Sequence, residues 1–290
     1  MFTGSHVAIV TPFRKGKVDE RALGDLIEWQ IAKGTNGIVP CGTTGESATL
    51  SHEEHNRVIE LTVEVVRRRV PVMAGTGSNS TDEAISLTKH AKQAGADAAL
   101  LITPYYNKPT QEGLYRHYKA IAEAVDLPLV LYNIPGRTGV NMLPATIARL
   151  AVIETIVGVK EGSGVIQQAS DIVQTCGDRL AVLAGDDAMT LPMMAVGGKG
   201  VITVTANIAP TEMANMVKAF AAGNIEEARR IHFQLSPLFA ALFYETNPIP
   251  VKEALGMMGK IDPELRLPLC SMGKENRDKL MQVMKEGRFI

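Results

Sequence analysis

The sequence predicts a (β/α)8 barrel followed by a C-terminal helical extension. Eight short apolar runs recur at intervals of about 20 to 35 residues, and each interval has room for a loop, a helix and another loop. The runs are continuously apolar, as in parallel strands that are covered on both faces by helices. Eight such units within about 205 residues indicate a closed barrel.

The predicted strands are short and rich in β-branched or other apolar residues. In chain order they lie at 6–10, 37–41, 70–75, 97–103, 128–133, 156–160, 180–185 and 200–205. A doubly wound open sheet is the alternative architecture. Such a sheet usually has a glycine-rich dinucleotide-binding sequence after its first strand, and the sequence VTPFRKGK at 10–17 does not resemble one.

The segments between these runs have helical patterns. Residues 19–33 carry apolar side chains at helical spacing and stop at Gly34. Ser51 with Glu54 three residues later is a capping-box pattern, which predicts that a helix begins there. Another helix is predicted to open at residues 81–83 and to run to Gly95.

The strand pattern ends after residue 210, and the rest of the sequence reads as helices. These predicted helices lie at 211–224, 225–244, 250–259 and 274–287. We expect the barrel to span residues 1–224, with its outer ring closed by the first of these helices. Residues 225–290 are then a helical extension packed on the barrel.

Composition and charge exclude several classes of function. Apolar content of 46% and charged content of 21% are ordinary for a globular protein, and a net charge of -1 gives no electrostatic argument for nucleic acid or an anionic membrane. No apolar run approaches the roughly 20 residues that span a bilayer, and residues 1–13 do not resemble a signal peptide. The three cysteines lie far apart without a CxxC pair, so we expect a soluble protein in a reducing cytoplasm.

Lys160 lies at the end of the sixth predicted strand, within IVGVKEGSG at 156–164. Active sites of this barrel lie at the C-terminal ends of the strands. Because side chains alternate along a strand, Lys160 shares a face with Gly158, which leaves space beneath a long side chain. The alternative is a lysine whose stem packs on apolar surface while its ammonium reaches water.

Other strand ends carry polar side chains that suit amine catalysis on a carbonyl substrate. Each alone has an ordinary explanation as a turn, packing or solvated residue, whereas together they would meet at one rim of the barrel. They are Thr43 and Thr44 after the second strand, Tyr105 and Tyr106 after the fourth, Tyr132 and Arg137 at and after the fifth, and Gly185 to Asp187 after the seventh.

The chemistry follows from these residue types. A buried lysine among apolar neighbours favours the free amine, which attacks a carbonyl to form a Schiff base. A tyrosine hydroxyl polarised by a neighbouring hydroxyl moves the protons, and an arginine holds a carboxylate at two points. We predict no metal site, because the histidines His52 and His55 are three residues apart instead of the four of a zinc-binding HExxH helix.

Seven motifs resemble the dihydrodipicolinate synthase family, within the pyruvate-dependent aldolases that form a Schiff base on lysine. The resemblance extends over essentially the whole chain, and LYNIPGRTG with GVKE is its most specific part. The motifs are VAIVTPF (7–13), GTTGES (42–47), LLITPYYNKPTQEG (100–113), LYNIPGRTGV (131–140), GVKEGSG (158–164), AGDD (184–187) and NPIPVKEAL (247–255).

The resemblance implies a reaction and its residues. Pyruvate and L-aspartate 4-semialdehyde condense, without a cofactor, through a Schiff base on the lysine to form 4-hydroxy-tetrahydrodipicolinate, on the route to diaminopimelate and lysine. The implied enzyme is a homotetramer built as a dimer of dimers. The implied catalytic residues are Lys160, Tyr132, Thr43 and Tyr106, the last from a neighbouring subunit; the implied substrate-binding residues are Thr44 with Thr43 for the pyruvate carboxylate, Arg137 for the semialdehyde carboxylate, Gly185 and Ile202.

The resemblance also implies a regulatory site for lysine at a subunit interface. In it, Glu83 pairs with the ammonium of free lysine and Asn79 binds its carboxylate. The alternative explanation of His52 and His55 is that they are simply polar residues on the first turn of a helix. The implied residues are Ser47, Ala48, His52, His55, Asn79, Glu83 and Tyr105.

Two other functions are alternatives to this reaction. An N-acetylneuraminate or 2-keto-sugar-acid lyase on the same barrel would differ at Arg137. A catalytically inactive barrel that binds a small carboxylate as a sensor would tolerate loss of Lys160 or Tyr132, and both residues are present.

Overall fold

The computed structural model describes residues 2–290 of the chain. Its strands are β1 (Gly4–Ala8), β2 (Phe13–Arg14), β3 (Lys17–Val18), β4 (Gly37–Val39), β5 (Met73–Gly75), β6 (Ala98–Ile102), β7 (Leu129–Asn133), β8 (Ile156–Glu161), β9 (Ala181–Ala184) and β10 (Gly200–Thr203). Its α-helices are α1 (Glu20–Ala32), α2 (His52–Val66), α3 (Thr81–Ala94), α4 (Gln111–Ala124), α5 (Pro135–Thr138), α6 (Pro144–Leu150), α7 (Ile166–Cys176), α8 (Thr190–Ala195), α9 (Pro210–Ala221), α10 (Ile225–Ala241), α11 (Ile249–Met257) and α12 (Lys274–Glu286).

Eight strands form one sheet, in the order β4-β1-β10-β9-β8-β7-β6-β5. Strands β5 to β9 pair in parallel with their neighbours along the chain, as do β1 with β4 and β9 with β10. A parallel bridge joins Ile38 in β4 to Val72, the residue before β5, so the sheet order returns on itself. The fold is the (β/α)8 barrel, which confirms the predicted fold class, and each of the eight predicted runs overlaps one of these strands.

The described residues divide into two compact units. The middle unit is Met73–Ile202 with the residues up to Gly4, and it holds β5 to β9 and α3 to α8. The terminal unit is Ser5–Val72 with Thr203–Ile290, and it holds β2 to β4, α1, α2 and α9 to α12. The boundary at residue 224 between barrel and extension stays a prediction.

The C-terminal helices lie where the sequence predicted them. Within the terminal unit α10 packs on α9, and α12 packs on both α10 and α11. Apolar side chains of these helices are buried at the contacts, among them Leu235, Leu238 and Leu280. Burial of apolar side chains supplies most of the stability of such helices, since their propensity alone does not.

The predicted helix ends are confirmed in two places. At the start of α2 the Ser51 hydroxyl accepts from the Glu54 N–H at 3.2 Å, and the Glu54 carboxylate accepts from the Ser51 N–H at 3.0 Å, which is a complete capping box. Helix α3 ends at Gly95, whose φ of +91° favours glycine. The antiparallel pair β2–β3 was not predicted, because its strands are only two residues long.

Hydropathy gives no transmembrane helix among residues 2–290: none there combines the length and the apolar character that crossing a bilayer requires.

Candidate active site

Lys160 and Tyr132 lie opposite each other on neighbouring strands of the middle unit. The register of β7 with β8 pairs the two residues, and the Lys160 Nζ lies 4.1 Å from the centroid of the Tyr132 ring. Lys160 is 6% exposed and Tyr132 is 5% exposed. The lysine is therefore buried beside an aromatic face. This disfavours the alternative in which its stem packs on apolar surface and its ammonium reaches water.

Glu161 follows Lys160 and is also buried, on the opposite face of the strand. Its carboxylate accepts from the Asn133 amide at 3.0 Å, from the Gln168 amide at 3.0 Å and from the Ser163 N–H at 2.7 Å. Asn133 is the register partner of Glu161, so their hydrogen bond ties β7 to β8 one residue beyond Tyr132 and Lys160. This network holds the strand that carries the lysine.

Sequence reasoning did not single out Glu161 or Asn133. Both directly follow a predicted functional residue at a strand end, where a polar side chain usually reaches solvent. The available signal was the pairing of two adjacent motifs, YN and KE, at the ends of neighbouring predicted strands.

Two glycines near the lysine allow close approach of neighbouring strands. A Cβ at Gly185 would lie 3.0 Å from the Glu161 carbonyl oxygen, and a Cβ at Gly158 would lie 3.0 Å from the Ala181 carbonyl oxygen. The Gly185 N–H donates to the Glu161 carbonyl at 2.7 Å. The glycines therefore permit backbone contact, and the N–H of Gly185 is already used within the protein.

Arg137 and Ile202 are the remaining predicted substrate residues of the middle unit. Arg137 lies on the short helix α5 and is exposed. The next residue, Thr138, is buried and its hydroxyl bonds to the Ile134 carbonyl at 3.1 Å, which anchors the helix under the arginine. Ile202 is buried in β10.

Tyr106 lies on the loop after β6 and is 90% exposed, with a φ of +72°. A positive φ is uncommon for a residue with a side chain and marks a backbone held by its surroundings. Since the phenol extends into solvent, the single chain does not bury this predicted catalytic residue.

Three residues of the predicted lysine site lie together beside that loop. The Asn79 amide donates to the Tyr105 carbonyl at 3.2 Å, and the Ser78 hydroxyl donates to the Glu83 carboxylate. Burial raises the pKa of Tyr105, and the negative charge of Glu83 adds to that rise. Glu83, Asn79 and Tyr105 thus form one polar cluster at the start of α3.

The terminal unit contains the other predicted residues. Thr43 and Thr44 lie in the turn after β4, with Thr43 half-buried and Thr44 buried. Ser47 and Ala48 lie in a short 3-10 helix, Ser47–Thr49. His52 and His55 lie on the first turn of α2, where His52 is exposed and His55 is buried.

Two contacts to the turn after β4 come from residues that the sequence analysis assigned no role. The Asn247 amide donates to the Thr44 hydroxyl at 3.0 Å, and the Lys252 ammonium donates to the Glu46 carboxylate at 2.6 Å. Both residues belong to the motif NPIPVKEAL, but nothing in their spacing identifies the partners.

Residues 2–290 contain no group of three or more His, Cys, Asp or Glu side chains placed to hold a metal ion.

A model of the dihydrodipicolinate synthetase family matches residues 1–287. The chain belongs to this family. A relative, the 4-hydroxy-tetrahydrodipicolinate synthase of Thermodesulfovibrio yellowstonii, is 61% identical over 290 residues, which are 100% of both chains.

Two solved structures extend the comparison to three dimensions. The chloride-inhibited dihydrodipicolinate synthase from Acinetobacter baumannii, complexed with pyruvate, is 50% identical over 100% of both chains, with a TM-score of 0.98. The dihydrodipicolinate synthase from Cyanidioschyzon merolae with lysine bound is 41% identical over 100% of this chain and 99% of that one, with a TM-score of 0.97.

As a member of the dihydrodipicolinate synthetase family, the chain is an enzyme of the lyase class and belongs to lysine and diaminopimelate biosynthesis. The resemblance inferred from the seven motifs is confirmed, as is the predicted class of enzyme.

Proposed function

We propose that the chain condenses pyruvate with L-aspartate 4-semialdehyde through a Schiff base on Lys160, giving 4-hydroxy-tetrahydrodipicolinate. The observation that carries the proposal is the buried Lys160 near the C-terminal end of β8, with its Nζ 4.1 Å from the Tyr132 ring centroid. The names of its relatives agree with this product.

The bonds change in a balanced sequence. The Lys160 amine attacks the ketone carbon of pyruvate, and the carbinolamine loses water to give an imine. Loss of a methyl proton gives an enamine, whose carbon attacks the aldehyde carbon of the second substrate. The amino group of that substrate then displaces Lys160 from the imine carbon, which closes the ring and frees the lysine.

Each of these steps moves a proton, and we assign that task to three hydroxyls. Tyr132 is buried beside the lysine, where a phenol acts as a local acid and base. Thr43 and Tyr106 complete the relay. The exposure of Tyr106 in the single chain supports its action in a neighbouring subunit, within a homotetramer built as a dimer of dimers.

The carboxylates of the two substrates require separate donors. We assign Thr44, with Thr43, to the carboxylate of pyruvate and Arg137 to that of the semialdehyde, since a guanidinium binds a carboxylate with two parallel hydrogen bonds. Gly185 and Ile202 contribute backbone contacts. The Gly185 N–H already donates to the Glu161 carbonyl, so this N–H is not one of the groups that contact the substrate.

The lysine amine itself activates the ketone, so we propose that no cofactor takes part. The three free cysteines fit a cytoplasmic location.

We further propose that lysine inhibits the enzyme at a subunit interface. The cluster of Asn79, Glu83 and Tyr105 supports this because it offers an anion and an amide donor. The relative with lysine bound adds support.

Borohydride reduction in the presence of pyruvate, followed by peptide mass mapping, tests the proposed function. We expect a reduced pyruvate adduct on the peptide that contains Lys160 and none after Lys160→Arg. The peptide that contains Lys252 is a matched control and should carry no adduct, since Lys252 is also buried but its ammonium is bound to a carboxylate. Absence of an adduct on Lys160 would disprove the central claim.

Assays with alternative substrates distinguish the proposed synthase from an N-acetylneuraminate or 2-keto-sugar-acid lyase on the same barrel. We expect turnover with L-aspartate 4-semialdehyde and none with N-acetylneuraminate or 2-keto-sugar acids. The reverse result would assign the chain to the lyase alternative.

A further inference from the structure

The turn that follows β4 is held by one residue near the start of the sequence and one near its end. The Thr11 hydroxyl donates to the Gly45 carbonyl at 2.7 Å, and the Arg266 N–H donates to the Glu46 carboxylate at 3.2 Å. Glu46 has a φ of +52°, a conformation that residues with side chains rarely adopt without support. These contacts therefore hold the backbone of the turn in one conformation.

Asn247 binds one of these hydroxyls directly. Its Nδ2 donates to the Thr44 Oγ1 at 3.0 Å, in a contact between residues that are 4% and 2% exposed, respectively. Bulk water therefore does not compete effectively for either group, and the hydrogen bond has a defined direction.

We propose that Asn247 is a positioning residue that turns the hydroxyl hydrogen of Thr44 toward the carboxylate of the substrate. A threonine hydroxyl has one donor hydrogen and two acceptor lone pairs. The Asn247 amide occupies a lone pair, so the hydrogen points away from the amide and is left to donate elsewhere. The proposal rests on the proposed function, in which Thr44 binds the carboxylate of pyruvate.

A carboxylate is the acceptor that gains most from this arrangement. Hydrogen bonds to an ionised acceptor are about twice as strong as neutral ones, and a donor whose direction is set beforehand loses no rotational freedom on binding. Asn247 thus acts through Thr44 on affinity for pyruvate and leaves the second substrate unaffected.

Two substitutions distinguish positioning from simple support of the fold. Asn247→Ala removes the donor and lets the Thr44 hydroxyl rotate. Asn247→Asp replaces the donor by an acceptor, so the Thr44 hydrogen turns toward residue 247 and a negative charge is added near the carboxylate. If Asn247 only supports the fold, the two substitutions should have similar effects on the KM of both substrates. If Asn247 positions the Thr44 hydroxyl, Asn247→Asp should raise the KM much more than Asn247→Ala does, and only the KM for pyruvate.

The test compares steady-state kinetics with borohydride trapping at varied pyruvate concentration. We expect the pyruvate KM, and the pyruvate concentration for half-maximal trapping, to rise about tenfold in Asn247→Ala and about a hundredfold in Asn247→Asp. The semialdehyde KM should change by less than about twofold in both, since hydrogen bonds to that substrate are intact. A third variant, Thr44→Val with Asn247→Asp, should show less than the product of the single effects, because the misdirected hydroxyl is gone.

Asn224→Asp is the matched control. It makes the same chemical change in the same unit, at an exposed position that caps α10, and aspartate caps helices as well as asparagine does. We expect its kinetics to equal those of the wild type.

The outcomes separate this proposal from the proposed function. If the wild type traps pyruvate and Asn247→Asp traps it at the same concentration, or if both variants raise the KM of both substrates equally, the positioning role is wrong and the Schiff-base function stands. If the wild type itself traps no pyruvate, both are wrong.

Discussion

The Nζ of Lys252 lies 2.6 Å from the Oε1 of Glu46, and the two side chains are 0% and 1% exposed. The ammonium also donates to the Thr11 carbonyl at 2.9 Å and lies 4.2 Å from the centroid of the Phe13 ring. Burial lowers the pKa of Lys252, while the charge of Glu46 opposes that change. The pair joins α11 to the turn after β4, so removal of either partner leaves a buried charge without its oppositely charged partner.

Loss of this ion pair is therefore expected to destabilise the fold strongly. Lys252→Met should lower the free energy of unfolding by about 3–5 kcal/mol, because Glu46 stays buried without its partner. Urea denaturation measures the change. The double variant Glu46→Gln with Lys252→Met should recover part of the loss, since both charges are then gone.

An exposed ion pair provides the matched control. Lys119→Met removes the exposed partner of Glu123 on α4, where solvent screens the interaction, and should leave the free energy of unfolding nearly unchanged. Equal losses at Lys252 and Lys119 would show that Lys252 gains nothing from its burial with Glu46.

Arg137 is expected to serve the second substrate and not the first. Arg137→Ala should raise the KM for the semialdehyde by about ten- to a hundredfold, as expected for loss of charged hydrogen bonds. Trapping of pyruvate on Lys160 should stay within about twofold of the wild type. Arg116→Ala, at an exposed arginine of the same unit, is the control and should leave both measurements unchanged. Equal impairment of both by Arg137→Ala would indicate a structural role for Arg137.

The sequence predicted the barrel and the position of its lysine for identifiable physical reasons. A buried parallel strand is apolar along its whole length, so each of the eight strands was visible locally, and Lys160 stood out as a charge within such a run. Asn247 and Lys252 were different, because their partners Thr44 and Glu46 lie 203 and 206 residues away. No local periodicity encodes a contact of that kind.

Glu161 shows a second reason why sequence reasoning missed part of the site. A glutamate at a strand end is usually solvated, and its burial depends on donors from Asn133 and Gln168, which the fold brings together from another strand and a helix. The motif placed Glu161 next to the lysine, but only the structure shows that its carboxylate is satisfied.

Glu83 provides the test of regulation by lysine. Glu83→Ala should raise the lysine concentration for half-maximal inhibition by at least about tenfold, because the ammonium of the inhibitor loses its anionic partner. Asp82→Ala removes the neighbouring, exposed carboxylate and is the control that should keep normal inhibition. Inhibition assays at varied lysine measure both. A wild-type enzyme that is insensitive to millimolar lysine would disprove the regulatory proposal.

His117 makes stability depend on pH. It lies in α4, buried, and burial lowers its pKa to about 4 from an ordinary 6.5. Its Nδ1 is 2.9 Å from the Thr81 hydroxyl, while its Nε2 has no hydrogen-bond partner among residues 2–290. A protonated ring would therefore have to bury an N–H without an acceptor, which the folded state resists.

The sign of the pH effect follows from the two pKa values. Between about pH 6.5 and pH 4 the unfolded chain binds a proton that the folded chain does not, so stability falls as pH falls through this range and the loss levels off below pH 4. From pH 7 to pH 4.5 the histidine should remove about 2–3 kcal/mol from the free energy of unfolding. His117→Gln keeps a polar side chain beside Thr81 but does not titrate, so urea denaturation at the two pH values should show that much less loss in the variant. Parallel losses in wild type and variant would mean that His117 is not the group responsible.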